Sequence, residues 1–186
     1  TLALDSEGLL YVADVGQGCV QKFDAEGDWV STWGHKGPGP GELDERWTLA
    51  LDGDDDVVTM EPRRRVQRFA SNGTFRGSWA GAGEEFGFYG PRIAVDEERG
   101  TVYTLGLREF GVQAYDRDGH LLWAIGELPA SRPGQLHEPT LIATTRDETL
   151  IRGTHFITHF KRGVYQNQWR VPSDYLITDM AATPDA

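Results

Sequence analysis

Short apolar segments alternate with turns rich in Gly, Pro and Asp along the whole chain. Residues 11–43 show the pattern, because YVAD, CVQKFD and DWVSTW are separated by VGQG and AEG and lead into the Gly/Pro-rich GHKGPGPGEL. Gly, Pro and Asp supply the turn dihedrals that other residues resist. No segment sustains apolar spacing at i, i+3, i+4 and i+7, so we predict strands and no helix longer than two turns.

The same pattern returns at a fixed interval. Residues 20–27, 66–73 and 112–119 read VQKFDAEG, VQRFASNG and VQAYDRDG. The aromatic positions Phe23, Phe69, Tyr115 and Phe160 fall at steps of 46, 46 and 45 residues. Such a period with about four strands per repeat is typical of propeller blades. We therefore predict an all-β propeller of four-stranded antiparallel blades, a single domain with blades at 1–47, 48–92, 93–140 and 141–179 and the first strand of a fifth blade at 180–186.

The run from YVAD through VQKFDAEG to TWGHKGPGPGEL resembles an NHL repeat. That family builds propellers, often six-bladed, and uses them for protein binding, RNA binding, sensing and occasionally catalysis. NHL repeats usually carry an Arg at the head of the third strand, paired with an acid in the preceding turn. The resemblance implies such a pair for Arg65 and Glu61, whereas Cys19, Gly111 and Phe156 replace the Arg in the other repeats.

Five inner strands can be counted, although four repeats need only four. The landmarks of these strands are Leu2, Leu49, Ile93, Ile142 and Met180. We therefore expect an open arc of four blades plus one strand, completed by about two further blades or covered by partner subunits. The chain also opens inside a strand at Thr1, from which we expect a processed or truncated product.

Large aromatic residues recur on one face of the fourth strand of each repeat. Trp29, Ser31 and Trp33 share a face by period-two alternation, and Trp79 and Trp169 occupy the place of Trp33. A blade buries both faces against its neighbours, so we interpret these residues as inter-blade packing and not as a ligand cage.

The charge balance narrows the range of partners. With 18 Lys and Arg against 29 Asp and Glu, the net charge is −11, which lowers the expectation of nucleic-acid binding. No run of about 18 apolar residues exists to span a membrane. The single Cys19 excludes an internal disulfide and leaves the redox compartment open. We expect a periplasmic or extracellular location.

Candidate catalytic and metal sites are sparse. Asp52, Asp54 and Asp56 alternate like the first ligands of a calcium loop, but position 63 is Arg where such a loop needs Glu. We interpret them as a solvated hairpin turn. His155 and His159 straddle a strand boundary, and the inner strands LALD, LALD, IAVD, IATT and MAAT carry no His. We therefore predict no metal site, no catalytic residue and no cofactor within this chain.

Arg and aromatic residues collect on the loops of one propeller face. Loops between blades and loops joining the second and third strands emerge on the same side. Their candidate binding residues are Arg46, Trp47, Arg63, Arg64, Phe86, Phe88, Tyr89, Arg92, Arg108, Phe110, Arg132, His137 and Phe156. Interfaces are enriched in Arg and aromatics, and this face would attract acidic partners.

Three functions follow from these patterns. The leading hypothesis is a non-catalytic propeller module that binds another protein, as a scaffold or as an accessory subunit of a larger complex. The second is a metal-dependent propeller lyase or lactonase with its site on the central axis. The third is single-stranded RNA binding through the Arg and aromatic face, against which the net charge argues.

Overall fold

The computed structural model describes residues 1–61, 65–81, 92–105, 111–125, 136, 139–145, 148–172 and 180. These residues form sixteen strands in four separate four-stranded antiparallel sheets, and they include no helix. The predicted all-β fold of four-stranded blades is therefore confirmed. Among the described residues, none belongs to a helix with the length and apolar character needed to span a membrane.

Each blade is a meander whose strands follow chain order from the inside outwards. Blade 1 contains β1 (Leu2–Leu4), β2 (Leu10–Asp14), β3 (Cys19–Phe23) and β4 (Trp29–Trp33). Blade 2 contains β5 (Thr48–Leu51), β6 (Val57–Met60), β7 (Arg65–Phe69) and β8 (Phe75–Ala80). Blade 3 contains β9 (Arg92–Asp96), β10 (Thr101–Leu105), β11 (Val112–Tyr115) and β12 (Leu121–Ile125). Blade 4 contains β13 (Leu141–Thr145), β14 (Glu148–Arg152), β15 (Phe156–Lys161) and β16 (Val164–Arg170).

A register shift recurs between the third and fourth strands of every blade. It lies immediately before the repeat aromatic in each case, at Phe23, Phe69, Tyr115 and Phe160. A bulge of this kind increases local twist and bends the strand. The four outer strands therefore leave their partners in the same way, which gives the blades a common shape.

The blades follow one another around an arc. β1 packs beside β5, β5 beside β9 and β9 beside β13. Three apolar clusters join blades 1 and 2, blades 2 and 3, and blades 3 and 4. No such cluster among the described residues joins blade 4 back to blade 1. Met180 is the one described residue of the predicted fifth blade, and it lines the axial cavity together with the inner strands.

The three joints between blades share one contact, in which an indole ring lies on a glycine of the next blade. The pairs are Trp33 with Gly73, Trp79 with Gly119, and Trp123 with Gly163. A Cβ atom on these glycines would lie 2.5, 2.6 and 2.9 Å from the nearest indole atom, so the close approach requires glycine. The packing prediction is confirmed for Trp33, whose ring centroid lies 5.1 Å from that of Phe69, and for Trp79, which lies 6.2 Å from Tyr115.

Candidate binding site at the propeller axis

The four inner strands surround a cavity of about 510 Å³. Most of the residues that line it are Leu, Ile, Val and Ala of β1, β5, β9 and β13, but the surface that they leave exposed to the cavity is mainly polar. The charged residues in this lining are Arg92 and Glu97. They lie at opposite ends of β9, so the cavity has a basic mouth and an acidic mouth.

The basic mouth lies at the start of the inner strands. Arg92 is the first residue of β9 and is exposed. Thr1 and Thr48 line the same end and join blades 1 and 2 through a 2.8 Å hydrogen bond between their hydroxyl groups. The described part of this lining contains no His or Cys, and Glu97 is its one carboxylate. These residues therefore form neither an acid–base pair nor a set of metal ligands.

The predicted face residues that the structure describes lie in different surroundings. Arg46 is exposed and holds a left-handed backbone with φ of 58°. Trp47 is 3% exposed and belongs to the core between blades 1 and 2, so it packs inside the molecule and not on the face. Phe156 is 38% exposed and begins β15 instead of lying in a loop. Arg63, Arg64, Phe86, Phe88, Tyr89, Arg108, Phe110, Arg132 and His137 lie outside the described residues.

A buried polar network holds the loop that leaves blade 1. Arg65 donates to the carboxylate of Glu61 at 2.5 Å, which confirms the pair implied by the NHL resemblance. The same guanidinium donates to backbone carbonyls of the exit loop, those of Gly37, Pro38, Gly39 and Glu42. The network fixes the loop between blades and so prepares a rigid surface beside the basic mouth.

Gln67 completes this network, and the sequence alone did not indicate its role. Its side-chain nitrogen donates to Glu61 at 2.6 Å and to the carbonyl of Glu42 at 2.7 Å, while its oxygen accepts from the Gly41 amide at 2.9 Å. The position repeats as Gln21 and Gln113 in neighbouring blades, and that recurrence was the available clue.

The acidic turn at residues 52–56 is only partly solvated, because Asp54 is exposed as predicted but the other two carboxylates are not. Asp52 and Asp56 are 3% and 8% exposed. Arg68 pairs with Asp52 and lies 3.2 Å from Asp56 through its Nε. The physical reason is the fold, which brings the β7 arginine over the hairpin between β5 and β6. With a guanidinium already paired to them, these carboxylates serve an internal ion cluster.

The remaining candidate ligands lie away from the axis. Asp116, Asp118 and His120 come together in the turn between β11 and β12, on the outer side of blade 3. Asp116 Oδ1 accepts from the amides of both other residues, at 2.9 and 2.8 Å, and the His120 amide bond is the main reason that the pKa of Asp116 is lowered. This is the self-capping of an Asx turn.

Cys19 and His159 also have structural surroundings. Cys19 is 6% exposed, and burial raises the pKa of its thiol, which disfavours the reactive thiolate. His159 pairs with Glu148 and stacks on Trp169 with 5.9 Å between ring centroids. Its burial makes Cys19 a small packing residue.

No protein-family model matches the sequence, and no curated protein matches it significantly. Solved propeller structures do resemble it in fold. Virginiamycin B lyase from Staphylococcus aureus matches with a TM-score of 0.65 and 13% identity over 93% of this chain and 55% of the lyase. A streptogramin B lyase matches with 0.64 and 13% over 93% and 54%. The dihydro-heme d1 dehydrogenase NirN matches with 0.64 and 15% over 90% and 36%.

These similarities show the fold. The chain spans about half the length of the two lyases and about a third of NirN. Membership of the NHL family remains a prediction, because no family model supports it. The chain is a β-propeller arc similar in fold to proteins that include two lyases and a dehydrogenase.

Proposed function

We propose that this chain is a non-catalytic β-propeller module that binds another protein at the basic mouth of its axial cavity. The observation that carries the proposal is the exposed Arg92 at the entrance of this cavity, whose described lining offers Arg92 and Glu97 as its charged groups. The mainly polar surface of the cavity can exchange hydrogen bonds with a partner, but its described part has no pair of groups for proton transfer.

The charges of the mouth indicate the kind of partner. Arg92 is exposed at the cavity entrance, and Arg46 is exposed on the neighbouring linker between blades 1 and 2. A segment with a carboxylate beside hydrogen-bonding groups would satisfy both the guanidinium and the polar surface of the cavity. Arginine also suits carboxylate recognition, since its planar fork donates two parallel hydrogen bonds. The proposed partner is therefore a protein with an acidic surface.

The test is a comparison of two charge reversals. The tagged chain is used to purify partners from its native cells, and recovery is quantified by mass spectrometry. Arg92→Glu should lower the affinity for the recovered partner by about 10-fold or more, because it reverses a central interface charge. Arg170→Glu is the matched control, since Arg170 is exposed on the outermost strand. Equal recovery with both variants would remove the basic mouth from consideration.

A metal-dependent enzyme is the second candidate, because the solved structures of similar fold include two lyases and a dehydrogenase. The described lining residues do not fit a metal, since Glu97 alone offers a carboxylate. Metal analysis of the intact protein by mass spectrometry separates the candidates. Stoichiometric zinc or calcium would favour the enzyme and count against the binding module.

Single-stranded RNA binding is the third candidate and the one that the net charge of −11 opposes. A gel shift at two salt concentrations tests it. A salt-dependent complex that Arg92→Glu weakens would indicate that the partner is RNA and not a protein.

A further inference from the structure

The acid that ends the inner strand has a cationic partner in blades 1 and 2. In blade 1, the Lys22 ammonium lies 3.8 Å from the Asp5 carboxylate. In blade 2, Arg68 pairs with Asp52. Lys22 and Arg68 hold equivalent register positions on the third strand of their blades. The chain therefore supplies a positive charge to each of these two buried carboxylates.

Blade 3 keeps the acid but not the cation. Asp96 is 1% exposed, and its Oδ1 accepts from the amides of Glu98 and Arg99. Its Oδ2 is buried and accepts no hydrogen bond. Ala114 holds the register position that Lys and Arg hold in the other two blades, and Trp123, its partner on the fourth strand, adds no charge. Burial raises the pKa of Asp96 more than the nearby charge of Arg99 lowers it.

The ring of Tyr103 extends the likeness between blades 3 and 1. Tyr103 holds the register position of Tyr11 on the second strand. In blade 1, the Lys22 ammonium lies 4.4 Å from the centroid of the Tyr11 ring, so it is bound between a carboxylate and the face of an aromatic ring. Blade 3 has the corresponding carboxylate and ring, but the described residues at this place supply no ammonium group.

Blade 4 adds hydroxyl groups from the other side of this joint. Thr144 and Thr149 lie opposite each other on its inner hairpin, at the place where blade 2 has leucine and valine. Both hydroxyls lie close to that of Tyr103, because the pKa of Tyr103, raised chiefly by burial and also by the charge of Asp96, is lowered by the two threonines. The Thr149 oxygen is buried and makes no hydrogen bond. Asp96 and Thr149 thus each bring an unpartnered oxygen to the surroundings of one phenol group.

We propose that the joint between blades 3 and 4 binds a small monovalent cation, ammonium or potassium, at the side-chain oxygens of Asp96, Tyr103 and Thr149. All three oxygens have lone pairs that can accept a hydrogen bond from ammonium or coordinate a metal ion. The single carboxylate balances one positive charge, whereas a divalent ion would leave an uncompensated charge in a buried place. The bound cation takes in blade 3 the role that Lys22 and Arg68 have in their blades, so it stabilises the joint.

This site is independent of the proposed function. Its residues lie inside a joint between blades and include neither Arg92 nor Arg46. The failure of either proposal therefore leaves the other standing.

Thermal unfolding of the 186-residue chain in different chloride salts tests the site. At neutral pH, ammonium or potassium chloride at about 100 mM should raise the unfolding temperature by about 3 °C above its value in N-methylglucamine chloride of equal ionic strength. N-methylglucamine carries the same charge but is too large for a buried site between two blades. An equal unfolding temperature in these salts, or a rise with magnesium chloride alone, overturns the proposal.

Two carboxylate variants separate the site from a general effect of the salts. Asp96→Asn should lose the rise, because its amide keeps the acceptor of the turn but has no charge to attract the cation. Asp14→Asn is the matched control, since Asp14 also ends a strand and accepts from the neutral amides of Gln17 and Gln21. It should keep the full rise. An Asp96→Asn variant that responds to ammonium and potassium as the wild type does overturns the site.

Two threonine variants test the ligand set across the joint. Thr149→Val keeps the shape of the side chain but removes one ligand oxygen, so the ammonium concentration needed for the same rise should increase about 10-fold. Thr104→Val is the matched control. Thr104 is also 1% exposed with an oxygen that makes no hydrogen bond, but it shares a strand face with Val102, which packs against blade 2.

The Thr104→Val protein should respond to ammonium as the wild type does. Equal loss of the response in the two valine variants would mean that the rise reports general stability, and would overturn the site. Circular dichroism checks that every variant is folded.

Discussion

Blades 1 and 2 have the same inner-strand sequence and similar third-strand sequences. They nevertheless differ in the side-chain contacts that stabilise the turn between their second and third strands. The third strands read CVQKF and RVQRF. In blade 2, the Glu61–Arg65 pair binds the backbone of the loop that arrives from blade 1. In blade 1, Asp14 accepts hydrogen bonds from Gln17 and Gln21.

The two turns differ in the reach of their side chains. The Arg65 guanidinium extends from its own turn to carbonyls of the exit loop of blade 1, whereas the amides that bind Asp14 lie within blade 1. The Glu61–Arg65 pair therefore stabilises the joint between blades 1 and 2 as well as the turn of blade 2.

The largest effect is expected from the ion cluster that blade 2 has and blade 1 lacks. Arg68→Met should lower the free energy of unfolding by about 4 kcal/mol, because it leaves the buried Asp52 without its cation. Lys22→Met at the same place in blade 1 should cost less, about 3 kcal/mol, because the buried Asp5 lies 3.8 Å from Lys22 and keeps hydrogen bonds from the Glu7 and Leu9 amides. Urea unfolding measures both, and equal losses would remove this distinction between the blades.

The next effect concerns the loop network. Arg65→Leu should lower the free energy of unfolding by about 3 kcal/mol, since the Glu61 side chain is 1% exposed and would keep only its bonds from Gln67 and the Asp44 amide. The double variant with Glu61→Leu should recover much of this loss, because no uncompensated charge remains. A double variant as unstable as the sum of the single variants would contradict the pairing.

Asp96 extends the comparison to blade 3 and gives it a pH dependence. Asp96 occupies the place of Asp52 but is 1% exposed and its Oδ2 accepts no hydrogen bond, so burial raises the pKa of this carboxyl above 3.8. The folded state then retains a proton that the unfolded state has lost. The contribution of Asp96 to stability therefore falls as pH rises from 3.8 through the raised pKa.

Asp96→Asn should remove that decline. The variant should become more stable relative to wild type as pH rises from about 4 to about 7, because its amide has no charge to bury and keeps the acceptor used by the Glu98 and Arg99 amides. Urea unfolding at the two pH values measures the gain. A constant difference between the two proteins would show that Asp96 titrates normally.

The smallest effect is expected at the turn of blade 1. Asp14→Asn should change the free energy of unfolding by less than about 1 kcal/mol, since its partners are neutral amide donors and the residue is only half-buried. Glu61→Gln in blade 2 should cost more, because it removes the charge that Arg65 faces. Thermal unfolding of the Asp14→Asn and Glu61→Gln variants shows which loses more stability. A larger loss for Asp14→Asn would contradict this interpretation.

The sequence was sufficient to predict the strands of each blade, because the turn residues and the alternation of apolar positions are local properties. The pair of Arg65 with Glu61 was also predicted, because the resemblance to NHL repeats implies an Arg–acid pair at this place. Alternation assigns a side chain to a face but does not say what covers that face. For this reason Trp29 and Trp33, predicted to pack alike, differ: Trp29 is 62% exposed, while Trp33 packs on Phe69.

The buried contacts between segments could not be obtained in this way. Trp47 lies in a linker without periodicity, so no pattern of apolar positions indicated that it packs in the core between blades 1 and 2. The pairing of Arg68 with Asp52 crosses three strands of blade 2 and depends on their register. Gln67 acts on a loop that lies 25 residues earlier in the chain at Glu42. Such contacts follow from the assembled arc.

The separation of the four sheets has a consequence for how the molecule opens. Among the described strands, no ladder continues from one blade to the next. Cooperative unfolding of these blades must therefore pass through side chains and through the loop bound by Arg65. Local opening of β7 releases the carbonyls of Gly39 and Glu42 at the same moment. Amides of β7 and of residues 37–43 should therefore exchange with solvent deuterium as one unit, although they belong to different blades.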